Sequence, residues 1–236
     1  MPLLLLLRRQ GAAPRRACCT AATVVDATAT PPLALLHGTQ EHVRVQLSKA
    51  QLREDATAGA ESYIIGDRLT LGTRPSSGSG RAWDIRARKP RTRTLRRFLD
   101  ARNRRAVVAN ATQLVVMTAV QPPPNRGLID RLLVAAESEG IAALLVLNKI
   151  DIGTEALGSA REIMSSYTSA GYRMLEVSVN TGAGLATLRQ HLAARAGQLS
   201  ILVGHSGVGK SSLLNAVVPG AQLPTDELSR SRRGFR

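Results

Sequence analysis

The segment Gly204–Ser212, which reads GHSGVGKSS, constrains the fold of this chain more than any other part of it. It matches the pattern GxxxxGK[ST], follows the apolar segment Leu199–Val203 and leads into the amphipathic segment Lys210–Val217. Glycines at these spacings let backbone N–H groups turn toward a phosphate, and the positive end of the following helix favours the same anion. The segment therefore predicts a strand, a phosphate-binding loop and a helix within an α/β P-loop NTPase.

Individual residues of this loop have predicted roles. We expect Lys210 to contact the β- and γ-phosphates and to stabilise their charge during catalysis, and we expect the Ser211 hydroxyl to ligate Mg²⁺. His205 is interpreted as structural, with a catalytic role as the alternative. The predicted phosphate-binding residues are Gly204, His205, Ser206, Gly207, Val208, Gly209, Lys210, Ser211 and Ser212.

A second motif, Asn148-Lys149-Ile150-Asp151, is expected to select the base. It follows a predicted buried strand, and ligands of parallel sheets bind at the carboxyl ends of the strands. A carboxylate such as Asp151 can accept hydrogen bonds from both N1–H and the exocyclic amino group of guanine, whereas adenine would leave a buried carboxylate unpaired. We expect Asn148 to reach N7 or O6 and to connect the loops, and Lys149 to lie along the ring. An ATPase is the alternative, and Asp151 disfavours it.

A third segment, Ser178–Gly182 (SVNTG), follows the last strand before the phosphate loop. Its main-chain N–H groups, with Ser178 and Val179 first among them, are expected to support the base. The order of the motifs is unusual, because Asn148 stands 56 positions before Gly204. In the usual GTPase the phosphate loop comes first. Circular permutation moves only the chain ends and leaves the site intact, so residues 106–236 predict a circularly permuted GTPase domain that binds GTP or GDP.

Residues 106–236 alternate strongly apolar segments with amphipathic ones. The predicted strands are Gln113–Val120, Ala142–Leu147, Met174–Val179 and Leu199–Val203, and the predicted helices are Leu128–Glu139, Glu155–Ala170, Leu185–Arg195 and Lys210–Val217. Alternation of this kind with short connections predicts a parallel sheet with helices on both faces.

Residues 24–105 show a shorter period. Val43–Leu47 alternates apolar and polar residues, and Gly66–Leu71 repeats the alternation after a turn signal. Pro75–Gly80 (PSSGSG) predicts a flexible loop. Several short strands without helical periodicity predict a small all-β barrel, and the OB-fold is the candidate for a basic barrel of this size.

The positive charge lies mainly in the first half of the chain. The net charge is +15, and residues 1–105 contain 20 Lys and Arg against 8 Asp and Glu. This asymmetry predicts a polyanionic partner, with nucleic acid preferred to a membrane surface. The predicted RNA contacts are Arg86, Arg88, Arg91, Arg93, Arg96 and Arg97. Trp83 is interpreted as a packing residue, with stacking on a base as the alternative.

The N-terminus has a separate interpretation. Residues 1–23 contain four arginines and no acidic residue, which predicts a transit peptide or a disordered N-terminus and hence a mitochondrion or a plastid. A bacterial cytoplasmic protein with a misassigned start codon is the alternative. Cys18 and Cys19 are adjacent and form neither a disulfide framework nor a zinc-binding spacing. No apolar stretch approaches the roughly 18 residues that a membrane-spanning helix needs, so no membrane association is expected.

The permuted motifs behind a basic barrel resemble the ribosome small-subunit-dependent GTPase A (RsgA/YjeQ) family over most of residues 24–229. Besides the nucleotide motifs, the resemblance lies in Gly66-Asp67-Arg68, the arginine-rich strip, Ala109-Asn110-Ala111, Ile129-Asp130-Arg131, Leu213-Leu214-Asn215 and Glu227-Leu228-Ser229. It implies an OB-fold and a permuted GTPase acting late in small-ribosomal-subunit maturation. It also implies rRNA binding and slow GTP hydrolysis that the subunit stimulates. We expect a monomer.

The chain departs from this family at its end. The family continues after the phosphate loop with a Thr-rich switch, a DTPG element and a zinc-binding C-terminal domain, whereas this sequence stops at Arg236. We therefore interpret it as a fragment, with zinc expected only in the missing part. Phosphoryl transfer needs its Mg²⁺ shell and its water-orienting residues in place. The alternative function is thus a non-hydrolysing GTP- and RNA-binding assembly module.

Overall fold

The computed structural model describes residues 20–27, 32–37, 39, 41–47, 63–75, 81–98, 104–193, 198–218 and 223. Contacts within this part of the chain separate two compact units. One unit ends at Ala111, and the other begins at Thr112. Each unit is described by itself.

The first unit is built around a closed five-stranded barrel. Its strands are β1 (Thr20–Asp26), β2 (Leu33–Leu36), β3 (His42–Leu47), β4 (Arg68–Pro75) and β5 (Arg81–Arg88). They pair in the order β1-β2-β3-β5-β4, and β4 closes the barrel against β1. The β3–β5 pair is parallel and the other pairs are antiparallel. The predicted OB-fold barrel is confirmed.

Apolar side chains at alternate positions along the strands fill the interior of this barrel. Val43 and Val45 are buried, while Arg44 between them is exposed. The core consists of Ala22, Val24, Ala34, Leu36, Val43, Val45, Leu69, Leu71 and Ile85. Trp83 is half-buried and packs against this core, in agreement with the packing interpretation.

The N-terminal segment 1–23 and the predicted loop Pro75–Gly80 both extend beyond the described residues. β1 begins at Thr20, so the end of the N-terminal segment 1–23 pairs with neighbouring strands, whereas residues 1–19 lie outside the described residues. β4 ends at Pro75, and the rest of the predicted loop, residues 76–80, is also outside them. The same unit contains a two-stranded antiparallel sheet formed by β6 (Thr94–Phe98) and β7 (Arg104–Ala109).

The second unit is a parallel sheet with helices. Its elements are β8 (Gln113–Ala119), α1 (Arg126–Ser138), β9 (Ala142–Asn148), α2 (Thr154–Ser169), β10 (Met174–Glu176), α3 (Leu185–Ala193), β11 (Ser200–Gly204) and α4 (Lys210–Val217). The strands pair in the order β10-β9-β8-β11, and every pair is parallel. All of β8 is buried, as expected for a strand covered on both faces.

Residues of the sheet strands face two different cores. Val115, Leu144 and Leu202 belong to a cluster with residues of α3 and α4 such as Leu188 and Leu213. Leu147, which points to the other side of β9, packs with Val120 and with Ala160 of α2. Helices therefore cover both faces of the sheet, as predicted.

Parallel pairing brings the carboxyl ends of all four strands to one edge of the sheet. The connections after β8, β9, β10 and β11 leave from this edge, and the predicted nucleotide motifs lie in the last three. Within the described part of the chain, no helix has the length and apolar character needed to cross a membrane.

Candidate nucleotide-binding site

The connection between β11 and α4 requires glycine at two of its positions. A Cβ on Gly204 would collide with the Met117 carbonyl oxygen of β8, so the two strands can approach only because Gly204 has no side chain. Gly209 has a φ of +91°, and a Cβ there would lie 2.7 Å from Nδ2 of Asn148. Left-handed backbone and a close neighbour both exclude larger residues at Gly209. The glycine spacing thus shapes the predicted phosphate loop.

The polar side chains of this loop are held near its backbone. Nζ of Lys210 donates to the His205 carbonyl oxygen at 2.6 Å. The His205 ring donates from Nδ1 to the Ser206 carbonyl oxygen at 2.9 Å. Ser211 and Ser212 are half-buried in the first turn of α4. The ammonium group and the N-terminal end of α4 lie together, which is the combination that stabilises a bound phosphate.

Asn148 joins the end of β9 to the phosphate loop. Its side chain is 2% exposed, and Nδ2 donates to the carbonyl oxygen of Val208 at 2.9 Å. Its Oδ1 atom is buried and has no hydrogen-bond partner among the described residues. A buried acceptor without a donor destabilises a protein, so an atom of this kind at a loop cluster indicates a polar ligand or an ordered water.

Lys149 forms a second connection. Its φ is +62°, a conformation that few residues other than glycine adopt. Nζ donates at 2.8 Å to the carbonyl oxygen of Gln121, after β8, and at 2.8 Å to that of Gly207, in the phosphate loop. The lysine therefore spans three connections at the same edge of the sheet. Left-handed backbone outside glycine occurs frequently at binding sites, where the surrounding contacts offset its cost.

Asp151 is exposed and has both carboxylate oxygens engaged. Oδ1 accepts from the Ser178 hydroxyl at 2.6 Å, and Oδ2 accepts from Nδ2 of Asn180 at 3.1 Å. The hydrogen bond from Ser178 is the largest cause that lowers the pKa of Asp151, and Asn180 and Lys149 act in the same direction against partial desolvation. The carboxylate is therefore ionised at neutral pH and can accept further hydrogen bonds.

The other predicted base-binding residues have packing roles. Ile150 is half-buried and packs against the core on the α2 side of the sheet, and Val179 packs against the opposite core. Their contacts with a base stay predictions. The side-chain contact of Asn180 with Asp151 was not predicted from the sequence. A polar residue two positions after Ser178, in a segment already assigned to the site, was the available signal.

A magnesium ion at this site would take most of its ligands from the nucleotide and from water. Among the described residues, no group of three or more His, Cys, Asp and Glu side chains could hold a metal. Mg²⁺ needs few protein ligands when phosphates and water supply the others. The Ser211 hydroxyl lies at the start of α4, within the predicted phosphate-binding segment Gly204–Ser212, and could supply one protein ligand to the ion.

Two of the predicted RNA-binding arginines are engaged inside the first unit. Arg91 forms a bidentate ion pair with the fully buried Asp67. Its Nε donates to Oδ1 at 2.7 Å, and its Nη2 donates to Oδ2 at 2.9 Å. Arg88 lies 3.9 Å from Oδ2 of Asp67, and its guanidinium carbon lies 5.1 Å from the centre of the Tyr63 ring. These contacts fix residues around β5 and give both arginines an internal role.

The remaining arginines of the strip differ in exposure. Arg86 is exposed on β5, and its side chain passes over Gly72 of β4 so closely that a Cβ on Gly72 would collide with it. Arg93 and Arg96 are half-buried, and the side chain of Arg97 lies outside the described residues. Contacts of these arginines with RNA stay predictions.

The chain is similar to bacterial proteins of known name. It is 41% identical over 172 residues to the small ribosomal subunit biogenesis GTPase RsgA 1 of Vibrio vulnificus (strain YJ016), a match that covers 72% of this chain and 48% of that protein. It is 39% identical over 196 residues to the corresponding RsgA protein of Chromohalobacter salexigens, with 82% of this chain and 54% of that protein covered. The chain spans about half the length of the relatives it matches.

These relatives correct one prediction. The localisation to a mitochondrion or a plastid is wrong, because the similar proteins are bacterial. A leader composition rich in arginine and poor in acids is not specific to organelles, and part of the segment assigned to it belongs to β1, where Ala22 is fully buried. The bacterial alternative agrees with the relatives.

Solved structures and a family model give the same assignment. The fold superposes on YjeQ from Thermotoga maritima with a TM-score of 0.68 and 28% identity, covering 87% of this chain and 67% of that one. The fold is also that of YloQ, a circularly permuted GTPase, with a TM-score of 0.62. The RsgA GTPase family model matches residues 88–235. The permuted order of the nucleotide motifs, the barrel and these similarities agree, and the chain belongs to the RsgA GTPase family.

Proposed function

We propose that this chain binds GTP and GDP with Mg²⁺, and that it hydrolyses GTP as part of a protein that assists small-ribosomal-subunit biogenesis. The observation that carries the proposal is the linked geometry of two motifs. Asp151, an ionised carboxylate held at both oxygens, lies in the same connection as Asn148 and Lys149, whose side chains bind the backbone of the phosphate loop. Base recognition and phosphate binding therefore belong to one site.

The preference for guanine follows from the hydrogen-bonding capacity of Asp151. An ionised carboxylate has about four acceptor positions, and Ser178 and Asn180 occupy one on each oxygen. Both oxygens retain capacity for the N1–H and amino donors of guanine. Adenine presents no such pair of donors at these positions, so its binding would leave the carboxylate without partners that replace water.

The phosphate part of the site is assigned by residue type and position. Lys210 and the backbone of Gly204–Ser212 would bind the phosphates, and Ser211 would hold Mg²⁺. When bound, Mg²⁺ supplies positive charge that neutralises the phosphate oxygens. Lys210 adds a second positive charge, and it can transfer its hydrogen bond from the His205 carbonyl to a phosphate oxygen.

The macromolecular partner is proposed from the relatives and from charge. Proteins named for small-ribosomal-subunit biogenesis match most of this chain. The excess of basic residues in the first half supports binding of rRNA through the barrel unit, for which the exposed Arg86 is the leading candidate contact. We propose a monomer. Zinc, which the family resemblance implies for a C-terminal domain, stays a prediction for the longer relatives.

Fluorescent-GDP binding to the full chain tests the nucleotide assignment. We expect unlabelled GDP and GTP to displace the probe at concentrations at least about 100-fold lower than ADP and ATP, because Asp151 pairs only with guanine. Lys210→Ala should abolish binding of the phosphates, and Ser159→Ala, an exposed position within α2, serves as the matched control. Equal displacement by ADP and GDP would overturn the guanine assignment.

A second experiment tests the proposed activity. GTP turnover is measured with and without purified bacterial small ribosomal subunits, and we expect the subunits to raise it. Turnover that is present but unchanged by subunits would argue against the ribosomal partner. Binding of GTP without turnover under either condition would favour the non-hydrolysing assembly module.

A further inference from the structure

The second donor to Asp151 is Asn180, an exposed residue of the predicted base-supporting segment Ser178–Gly182. Ser178 is fully buried and holds Oδ1 at 2.6 Å, while Asn180 reaches Oδ2 at 3.1 Å across 29 positions of sequence. A carboxylate held at one oxygen can still rotate about its Cβ–Cγ bond, because that bond has a broad torsional minimum. A donor on the second oxygen removes this freedom.

The turn that carries Asn180 is tightly closed. The amide of Ser178 donates to the Ala183 carbonyl oxygen at 2.9 Å, and the amide of Gly182 donates to the Ser178 carbonyl oxygen at 2.9 Å. The amide of Thr181 also donates to the Ser178 hydroxyl oxygen at 3.2 Å. Asn180 therefore projects from a backbone that is fixed on both sides, so its contact with Asp151 requires no further ordering of the turn backbone.

We infer that Asn180 is a positioning residue for base selection, which fixes the plane of the Asp151 carboxylate so that both oxygens can accept from guanine at once. The inference rests on the proposed binding of guanine nucleotides. Guanine offers two donors and therefore needs both oxygens of the Asp151 carboxylate in the plane of the base. Hypoxanthine lacks the amino group and needs only one of these oxygens. Loss of the Asn180 hydrogen bond therefore weakens guanine binding more than hypoxanthine binding.

The test compares the affinities of the full chain for GDP and for inosine diphosphate, measured by displacement of a ribose-labelled fluorescent nucleotide. Asn180→Ala removes the donor, and Asn180→Asp replaces it with an acceptor of the same size. We expect each variant to lower the preference for GDP over inosine diphosphate by about tenfold, through weaker GDP binding. Thr181→Ala is the matched control, because its hydroxyl accepts from the Ala183 amide and does not bind Asp151.

The outcomes separate this inference from the proposed function. A wild-type chain that binds GDP and inosine diphosphate equally would contradict guanine recognition itself. A wild-type preference that Asn180→Ala leaves intact would overturn the role of Asn180 alone. An equal loss in Asn180→Ala and Thr181→Ala would also overturn it, because general loosening of the turn would then explain the effect. Melting temperatures of all variants report whether they remain folded.

Discussion

Asp67 of the barrel unit and Asp151 of the sheet unit are both held at two oxygens, yet their surroundings are opposite. Asp67 is fully buried, and its charge is matched by the guanidinium groups of Arg91 and Arg88. Asp151 is exposed, and its direct hydrogen-bond donors, Ser178 and Asn180, are neutral. One carboxylate is neutralised inside the protein, and the other keeps its charge at the surface.

The difference separates a structural carboxylate, Asp67, from the proposed recognition carboxylate, Asp151. Charged partners neutralise Asp67 inside the protein, so removing the carboxylate takes a buried counter-charge away from both arginines. Neutral donors orient Asp151 without cancelling its charge, and they leave acceptor positions for a ligand. The same reasoning divides the arginine strip, since Arg88 and Arg91 are bound to the structure while Arg86 is exposed.

The largest expected effect is that of Asp67→Ala. It removes the buried counter-charge that two nitrogens of Arg91 contact, and we expect the free energy of unfolding of the barrel to fall by about 3–5 kcal/mol. Fluorescence of Trp83, the single tryptophan, reports unfolding of this unit during urea titration because it packs against the barrel core. Asp151→Ala is the matched control and should change the same curve little. Similar curves for both variants would remove the distinction between the two carboxylates.

Asp151→Asn should change ligand preference instead of stability. An amide presents one donor and one acceptor, so it cannot accept from both guanine donors, and we expect GDP affinity to fall about 100-fold. Xanthine carries a carbonyl group where guanine has its amino group, so the new amide should favour xanthosine diphosphate. Isothermal titration calorimetry with both nucleotides measures the reversal. Unchanged GDP affinity would show that Asp151 does not contact the base.

Arg86→Ala is expected to have a smaller effect, confined to RNA. We expect affinity for small-subunit rRNA to fall by about three- to tenfold at low salt, with the slope of log affinity against log salt smaller by about one phosphate contact. Filter binding across a salt series measures both quantities. Arg44→Ala, an exposed arginine on β3, provides a charge-matched comparison. If both variants lose the same affinity, Arg86 contributes to RNA binding through the net charge of the unit and not through a specific contact.

The smallest expected effect is a shift in the pH dependence of GDP binding, which Ser178→Ala should produce. The pKa of Asp151 is lowered chiefly by Ser178, so we expect ionised Asp151 and GDP binding to persist to a lower pH than an ordinary carboxylate would allow. Binding is lost only when pH drops through that lowered value. Removing Ser178 raises the pKa of Asp151, so GDP binding should be lost at a higher pH than in the wild type. Coincident pH curves, measured where circular dichroism shows both proteins folded, would contradict this cause.

Local patterns predicted most elements of the sheet unit to within a few residues. α4 spans Lys210–Val217 as expected, because the glycines before it and the apolar period within it are both local signals. β10 ends at Glu176, earlier than the predicted Val179. The amides of Ser178 and Gly182 bond within the following turn instead of with a neighbouring strand, and the apolar residues Val177 and Val179 do not indicate where the strand pairing ends. The amino-acid composition of the N-terminus led to the wrong localisation. Composition does not show that the end of this segment pairs with other strands as part of β1.

The sequence by itself determined the glycine spacing of the predicted phosphate loop, the position of the predicted guanine motif, their permuted order and the parallel sheet, because glycine spacing and hydrophobic period are properties of short segments. Only the tertiary structure decided which polar residues meet. Asp67 and Arg91 are 24 positions apart, and Asp151 and Asn180 are 29 apart. Such pairs depend on how strands and turns are placed in space, and a list of arginines cannot show which of them are already bound. The fold therefore brings a second donor, Asn180, to Asp151. It also pairs Asp67 with Arg88 and Arg91, which are two of the six arginines predicted to bind RNA.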